Sequence, residues 1–321
     1  MAASPAKANP IAVGGGAVTE AEVSAAHYRR SAVLVVLAAC VLSLNGLVLR
    51  HIEDASAWQI LFWRAGALTV AMSCLFVVRH RGRAMAELRR AAPSALVAGP
   101  FAGLASVAFI QSLTHTTVAS TLFTLSAVPL FTAVLGWLIL EERVSRTTWL
   151  AIAAAMAGIA VMVADGVGSG TLFGNVMALA TAVLFAVYVI ALRRGRSVDM
   201  LPSVCVAGVI AALIGAAVAG DLGLSLRDTV LCLVWGGVLS CAGHALFTLG
   251  SRFVPAAEIS LLSLTEFVLG PLWVWLVVDE VPGTLTLAGG AVVLAAIVAW
   301  SHDHMRRVRA DAAPALRHQR R

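Results

Sequence analysis

Ten apolar runs of about twenty residues alternate with short polar segments along the chain. A helix rises about 1.5 Å per residue, so each run is long enough to cross a hydrocarbon layer roughly 30 Å thick. Bounded by charge, Gly or Pro, the runs predict helices over 31–49, 57–78, 93–113, 118–140, 147–164, 173–192, 202–220, 229–250, 256–278 and 283–300. They take in about two thirds of the 321 residues and leave loops too short for a soluble domain. The expected fold class is therefore an all-α integral membrane protein, and any function has to be built from the helices themselves.

The polar segments orient the spans. With the N-terminus on the cytoplasmic side, 20 of the 23 basic residues fall on that side, and only Arg50 and Arg227 fall outside. The positive-inside rule then predicts a multi-pass protein of the inner membrane, with both termini cytoplasmic. Residues 1–30 read as a disordered cytoplasmic tail without a signal-peptide core, and 301–321 as a basic cytoplasmic tail.

A shift of about 138 residues lays the fourth run on the ninth. Ala119, Trp137, Leu138 and Glu142 then meet Ala257, Trp275, Leu276 and Glu280, while Gly99 and Phe109 meet Gly237 and Phe247. In each half a proline-containing span ends in a carboxylate pair, Glu141–Glu142 or Asp279–Glu280, before a Gly/Ala-rich span. Five spans per repeat insert in opposite senses, so the halves 31–164 and 165–300 would form two inverted five-helix repeats (5+5). Inverted repeats allow a central site to face each side in turn, which is a transporter signature.

The segments AVPLFTAVLGWLILEERVSRTTWLAIAAAMAGIAVMVA and LLSLTEFVLGPLWVWLVVDEVPGTLTLAGGAVVLAAIVA resemble the fourth and fifth helices of EamA domains in the drug/metabolite transporter superfamily. FWRAG around Arg64 is similar to the arginine-bearing second helix of that family. The second half departs from the pattern in carrying Asp279 where Gly commonly precedes the glutamate, and in placing Pro271 one turn late. The resemblance spans about residues 33 to 300 and implies ten helices in two inverted halves that carry small metabolites, often outward.

Composition narrows the alternatives. Hydrophobic residues make up 60% and charged residues 12%, with a mean hydropathy of +0.90, values that exclude an ordinary soluble domain. The net charge of +6 lies in loops as a topology signal, so no nucleic-acid partner is expected. The five cysteines, Cys40, Cys74, Cys205, Cys232 and Cys241, all sit in apolar runs without a CxxC pair, which speaks against disulfides or zinc. No P-loop, GxSxG or HExxH motif occurs, and no cofactor or metal is expected. The His302, Asp303, His304 group reads as a solvated juxtamembrane face.

Polar residues inside the spans are the candidate chemistry. Glu266 lies near the middle of the ninth span, where a charge costs about 2.5–3.5 kcal/mol on insertion scales; it needs a partner or a proton. It is a candidate for proton coupling or amine binding, or else a structural hydrogen bond. Ser263, Gly270 and Trp273 share its helical face. Arg64 is a candidate receptor for a substrate anion, or else a fixed ion pair or an interfacial snorkel. Asn45, Gln111 and Trp273 fall at a similar outer-third depth and would form one vestibule with Arg64, and Trp63 and Trp273 would supply apolar walls.

His244 carries a transport or proton role or is a packing histidine; an intramembrane hydrolase built on it and Ser240 lacks the rest of its machinery. Thr117, Thr121 and Thr124 form a polar stripe, and Tyr188 is an interfacial anchor or cavity wall. Pro100, Pro129 and Pro271 mark helix kinks. Gly99 with Gly103, and Gly237 with Cys241, have the small-xxx-small spacing of close helix packing. Glu142 and Glu280 are placed at helix ends for pairing or topology, with Arg143 and Arg146 next to the first. The reading is a secondary transporter of a small metabolite, an amino acid or related compound, by alternating access, with the proton as candidate coupling ion. Uptake of a vitamin- or nucleoside-like compound on the same fold, a membrane-embedded enzyme and a sensor are the alternatives, and monomer or homodimer stays open.

Overall fold

The computed structural model describes residues 20–49, 51–116, 118–162, 172–278 and 283–319. The side chains of 20–25, 118–120, 162, 271, 274, 278 and 304–319 are excepted. The described residues form helices joined by short turns and loops, and contain no strand. The helices are α1 (Glu20–Leu42), α2 (Asn45–Leu49), α3 (Ala57–His80), α4 (Ala84–His115), α5 (Val118–Leu125), α6 (Val128–Leu140) and α7 (Arg146–Met162). They continue with α8 (Leu172–Arg194), α9 (Leu201–Ala219), α10 (Leu226–Val234), α11 (Cys241–Gly250), α12 (Ala256–Ser263), α13 (Thr265–Val278) and α14 (Thr284–Gln319). A π-helical segment, Trp235–Ser240, joins α10 to α11.

Among the described residues, eight helical segments are long and apolar enough to cross a membrane, and Arg146–Val161 is a shorter apolar helix. One segment, Ala57–His115, has 59 residues, about 88 Å of helix and far more than one bilayer core. The chain reverses within it at Arg81, where φ is 47° and ψ −129°, so that α3 and α4 each make a length suited to one crossing.

Packing follows the small residues. Adding a Cβ at Gly99 would bring it within 2.6 Å of Val206 and 2.9 Å of the Ser203 carbonyl, and at Gly103 within 3.0 Å of the Ala207 carbonyl. The pair therefore lets α4 lie directly on α9, as its spacing predicts. Helix α4 also packs along α8, α3 along α9, α7 along α14, and α1 along α11. The core runs through these seams, with Val35, Ala155, Ile159, Val189, Ile259 and Val293 fully buried. Large apolar side chains such as Val70, Leu96, Leu150 and Leu213 remain exposed in numbers a water-facing surface does not tolerate. They form the surface that faces lipid.

The structure departs from the sequence reading at several helix boundaries. Helix α1 begins at Glu20, so the expected tail over 1–30 is helical in its last third, and residues 1–19 lie outside the described ones. Helix α14 carries on through the expected C-terminal tail to Gln319. Pro100 and Pro93 sit inside an uninterrupted α4. Pro129 does not kink a continuous helix: the fourth span breaks at Ser126 and Ala127, and Pro129 stands in the first turn of α6, where no amide donor is missed. The ninth span breaks at Leu264, seven residues before Pro271, so Pro271 is not the cause of that interruption. The side chain of Pro271 lies outside the described ones, as do Arg50, Thr117, Asp279 and Glu280.

Candidate functional site

Arg64 is held in α3 opposite the π segment. A Cβ at Gly236 would stand 2.0 Å from the Arg64 carbonyl oxygen, so only glycine lets the two backbones meet. The Arg64 Nη2 donates to Ser106 Oγ of α4 at 3.0 Å, and its guanidinium carbon lies 5.3 Å from the centroid of the Trp235 ring. The Trp235 indole N–H in turn donates to Asn45 Oδ1 at 2.7 Å. Asn45, Trp235, Arg64 and Ser106 thus form one polar chain across the first, eighth, second and third spans. Arg64 Nε is buried with no hydrogen-bond acceptor, and no carboxylate among the described residues pairs with this cation. His244 is half-buried on α11.

Not every expected neighbour joins this cluster. Gln111 stands five residues beyond Ser106, about 140° round α4, and no hydrogen bond links it to Arg64. Trp63 donates to the Leu222 carbonyl at 2.9 Å, which ties it to the loop after α9; the aromatic face under Arg64 belongs to Trp235. The sequence reading missed Trp235, although its place before Gly236 and Gly237 marks a site of close backbone approach.

A second set gathers where the first span breaks. Trp273 on α13 donates to Ser43 Oγ at 2.8 Å, and Ser43 donates to the Cys40 carbonyl, closing the turn between α1 and α2. Ser263 bonds its own helix, at the Ile259 carbonyl. Because the ninth span is interrupted at Leu264, Glu266 is the second residue of α13 rather than a mid-helix residue. Glu266 is half-buried and makes no hydrogen bond or ion pair with any described residue. Thr124 lies at the corresponding break of the fourth span, its carbonyl accepting from the Ala127 amide, and Thr121 exchanges a 2.7 Å hydrogen bond with Ser112. Tyr188 is buried, facing Ser203 and Thr248.

At one end of the bundle, charged residues clasp the helices together. Glu142, just past the left-handed cap Glu141 (φ 56°), accepts from Arg193 Nε at 3.1 Å and Nη2 at 2.5 Å, and its other oxygen accepts from the Ala256 amide at the start of α12. Arg193 Nη1 donates to the Arg252 carbonyl at 2.6 Å. Tyr28 donates to Glu258 at 2.9 Å. Asp199 meets Arg79 at 3.2 Å and His80 at 2.9 Å, and also accepts the Leu201 amide. The partner of Glu142 is therefore Arg193, 51 residues away, rather than the adjacent Arg143 or Arg146. Packing of α6 on α8 selects it. Glu258 and Asp199 were not singled out by sequence; their signals are an acidic residue in the first turn of a span and one in a short basic loop.

The chain matches the model of the EamA-like transporter family twice, over residues 29–164 and 172–301. It is 25% identical to the pseudopaline exporter CntI of Pseudomonas aeruginosa over 278 residues, 84% of this chain and 94% of that protein. It is 26% identical to the protein of the same name from a second strain of that species over 274 residues, with the same shares covered. A solved crystal structure superposes with a TM-score of 0.69 at 19% identity, covering 87% of this chain and 98% of the other.

Proposed function

Because the chain belongs to the EamA-like transporter family, within the drug/metabolite transporter superfamily, we propose that it exports a small polar metabolite, an amino acid or related compound, across the inner membrane. It is a multi-pass membrane transporter of small molecules. In this reading ten spans form two inverted five-helix halves, with both termini in the cytoplasm. Several observations support it. The family model matches once in each half. The interruptions at Ser126 and Leu264 are separated by the 138-residue offset of the sequence repeat. The α4·α8 seam has its counterpart in α11·α1, while α3·α9 and α7·α14 map onto themselves when the halves exchange. Export is supported by the two relatives named as exporters.

The observation that carries substrate binding is Arg64, a permanently charged guanidinium within a span, short of one acceptor and without a carboxylate partner. A substrate carboxylate supplies both, in the planar geometry that guanidinium favours. Glu266, also without a protein partner, binds the substrate amine or the coupling proton. Alternation between sides then consists of breaking and remaking the Glu142–Arg193 clasp while the Arg64 and Glu266 sites stay occupied.

A thermal-shift screen of purified protein against amino acids, vitamins, nucleosides and cationic drugs tests the reading. A ligand at about 100 times its Kd stabilises by about 2.7 kcal/mol and raises Tm measurably. Arg64→Ala should abolish that rise for anionic or zwitterionic ligands, and an equal rise in Arg64→Ala overturns the assignment. Transport by Glu266→Gln with unchanged rate and pH profile would sink proton coupling.

A further inference from the structure

A groove of about 280 Å3 opens on the outside of the bundle, away from Arg64, between the first and last spans. Its walls are Ala32 and Val36 of α1, Leu262 of α12 and Trp300 of α14, and Tyr28 and Arg29 stand at its polar end. We propose that this groove holds one acyl chain of an anionic phospholipid from the leaflet at that end of the bundle, with the phosphate headgroup on Arg29, and that the bound lipid braces Tyr28 against Glu258.

The chemistry favours lipid over solute. The walls are apolar and face the lipid side of the bundle. The volume suits part of one chain. The end of the groove is basic. Arg29 and Arg30 are exposed there, and in sequence Arg306, Arg307 and Arg309 follow shortly after Trp300, in the register of the same end of α14. A basic cluster immediately beside a span attracts anionic headgroups, at about 1 kcal/mol per arginine near the surface. Tyr28 links this groove to the ionic clasp. Its ring lines the groove while its hydroxyl donates to Glu258 at 2.9 Å, and Glu258 sits beside Glu142 and Arg193. An acyl chain seated against the Tyr28 ring therefore limits its departure from Glu258.

The test uses the full chain in nanodiscs of equal phosphatidylcholine and phosphatidylglycerol, with retained lipid identified by mass spectrometry after stripping the disc, and Tm measured in each pure lipid. The wild type should retain phosphatidylglycerol selectively and melt higher in it. Arg29→Gln, at an exposed position that folding does not need, should retain it about fivefold more weakly, the equivalent of one lost arginine contact. Ala32→Phe, which fills the groove, should lose retention, while Arg30→Gln, which belongs to the same basic end but does not line the groove, should weaken retention less than Arg29→Gln does. Tyr28→Phe should still retain the lipid but lose the phosphatidylglycerol-dependent rise in Tm. Equal retention of both lipids, or Arg29→Gln and Ala32→Phe retaining as wild type does, overturns the site. A full Tm rise in Tyr28→Phe overturns its coupling to Glu258. None of these readouts depends on substrate or on transport, so they stand or fall apart from the transporter mechanism.

Discussion

Substituting Glu142→Gln removes the charge that holds α6, α8 and α12 together. In the wild type one carboxylate oxygen takes both Arg193 donors and the other takes the Ala256 amide. The Arg193 side chain is only 6% exposed and that of Glu142 22%. Removing one member of a fully buried pair costs about 3–5 kcal/mol. Here Arg193 keeps two carbonyl acceptors, at Ser251 and Arg252, and glutamine still offers one oxygen. Partial exposure also lowers the figure, so we expect a loss of about 2 kcal/mol from the closed conformation. If the open conformation lacks the clasp, that loss multiplies its population about thirtyfold.

The assay is labelling of a cysteine placed at Ala257, which is 4% exposed beside a cavity of about 20 Å3 lined by Thr132, Glu142, Thr148 and Glu258. That space admits about one water and no maleimide. In a background without the native thiols, labelling in Glu142→Gln should quicken at least about tenfold while Tm falls. Replacing both partners, as Glu142→Gln with Arg193→Met, should return much of the Tm, because no charge is then left buried alone. A labelling rate within about twofold of the parent, or additive losses in the double variant, refutes the clasp.

Gly236→Ala should force α3 from the π segment, since its Cβ would meet the Arg64 carbonyl at 2.0 Å; a loss of about 1–3 kcal/mol in unfolding is expected, against no loss for Gly46→Ala, which has open space. Asp199→Asn keeps the Leu201 bond but weakens those to Arg79 and His80, and should lower thermal stability by about 1–2 kcal/mol with ligand affinity unchanged. Arg64→Lys retains the charge but not the planar fork over Trp235; Tm without ligand should hold within a few degrees while ligand affinity falls about tenfold, as read by titration. Equal affinity in Arg64→Lys would mean that charge alone, not guanidinium geometry, recognises the ligand.

The spans were legible because lipid leaves the chain few choices: a run of apolar residues long enough to cross must satisfy its own backbone, and a helix does so. Arg64 stands out in the sequence for the converse reason, since a guanidinium inside such a run is costly. The Glu142–Arg193 pair was not legible. Local order offers Arg143 and Arg146 as partners, and the choice of Arg193 depends on how α6 lies across α8. Trp235 was missed for the same reason, because its ring meets Arg64 only once Gly236 has let α3 and the π segment touch.

The helix interruptions carry the deeper lesson. Proline is the visible cause of a break, yet the fourth span breaks before Pro129 and the ninth at Leu264, well before Pro271. The repeat places Phe267, not a proline, opposite Pro129. What the two halves share is therefore the interruption and not the residue that would announce it. At the first, Ser126 bonds back to the Phe123 carbonyl; at the second, the Leu264 amide bonds to the Leu261 carbonyl. Each closes a turn locally, so that a span can end and restart without leaving its backbone groups bare in lipid. The restart moves the chemistry, for it places Glu266 in the first turn of α13 rather than in mid-helix, with no cationic side chain paired to it among the described residues. Glu142, locked to an arginine, serves to hold helices together, whereas Glu266 has no such partner among the described residues, which is why it and not Glu142 is the candidate for exchanging a proton or an amine.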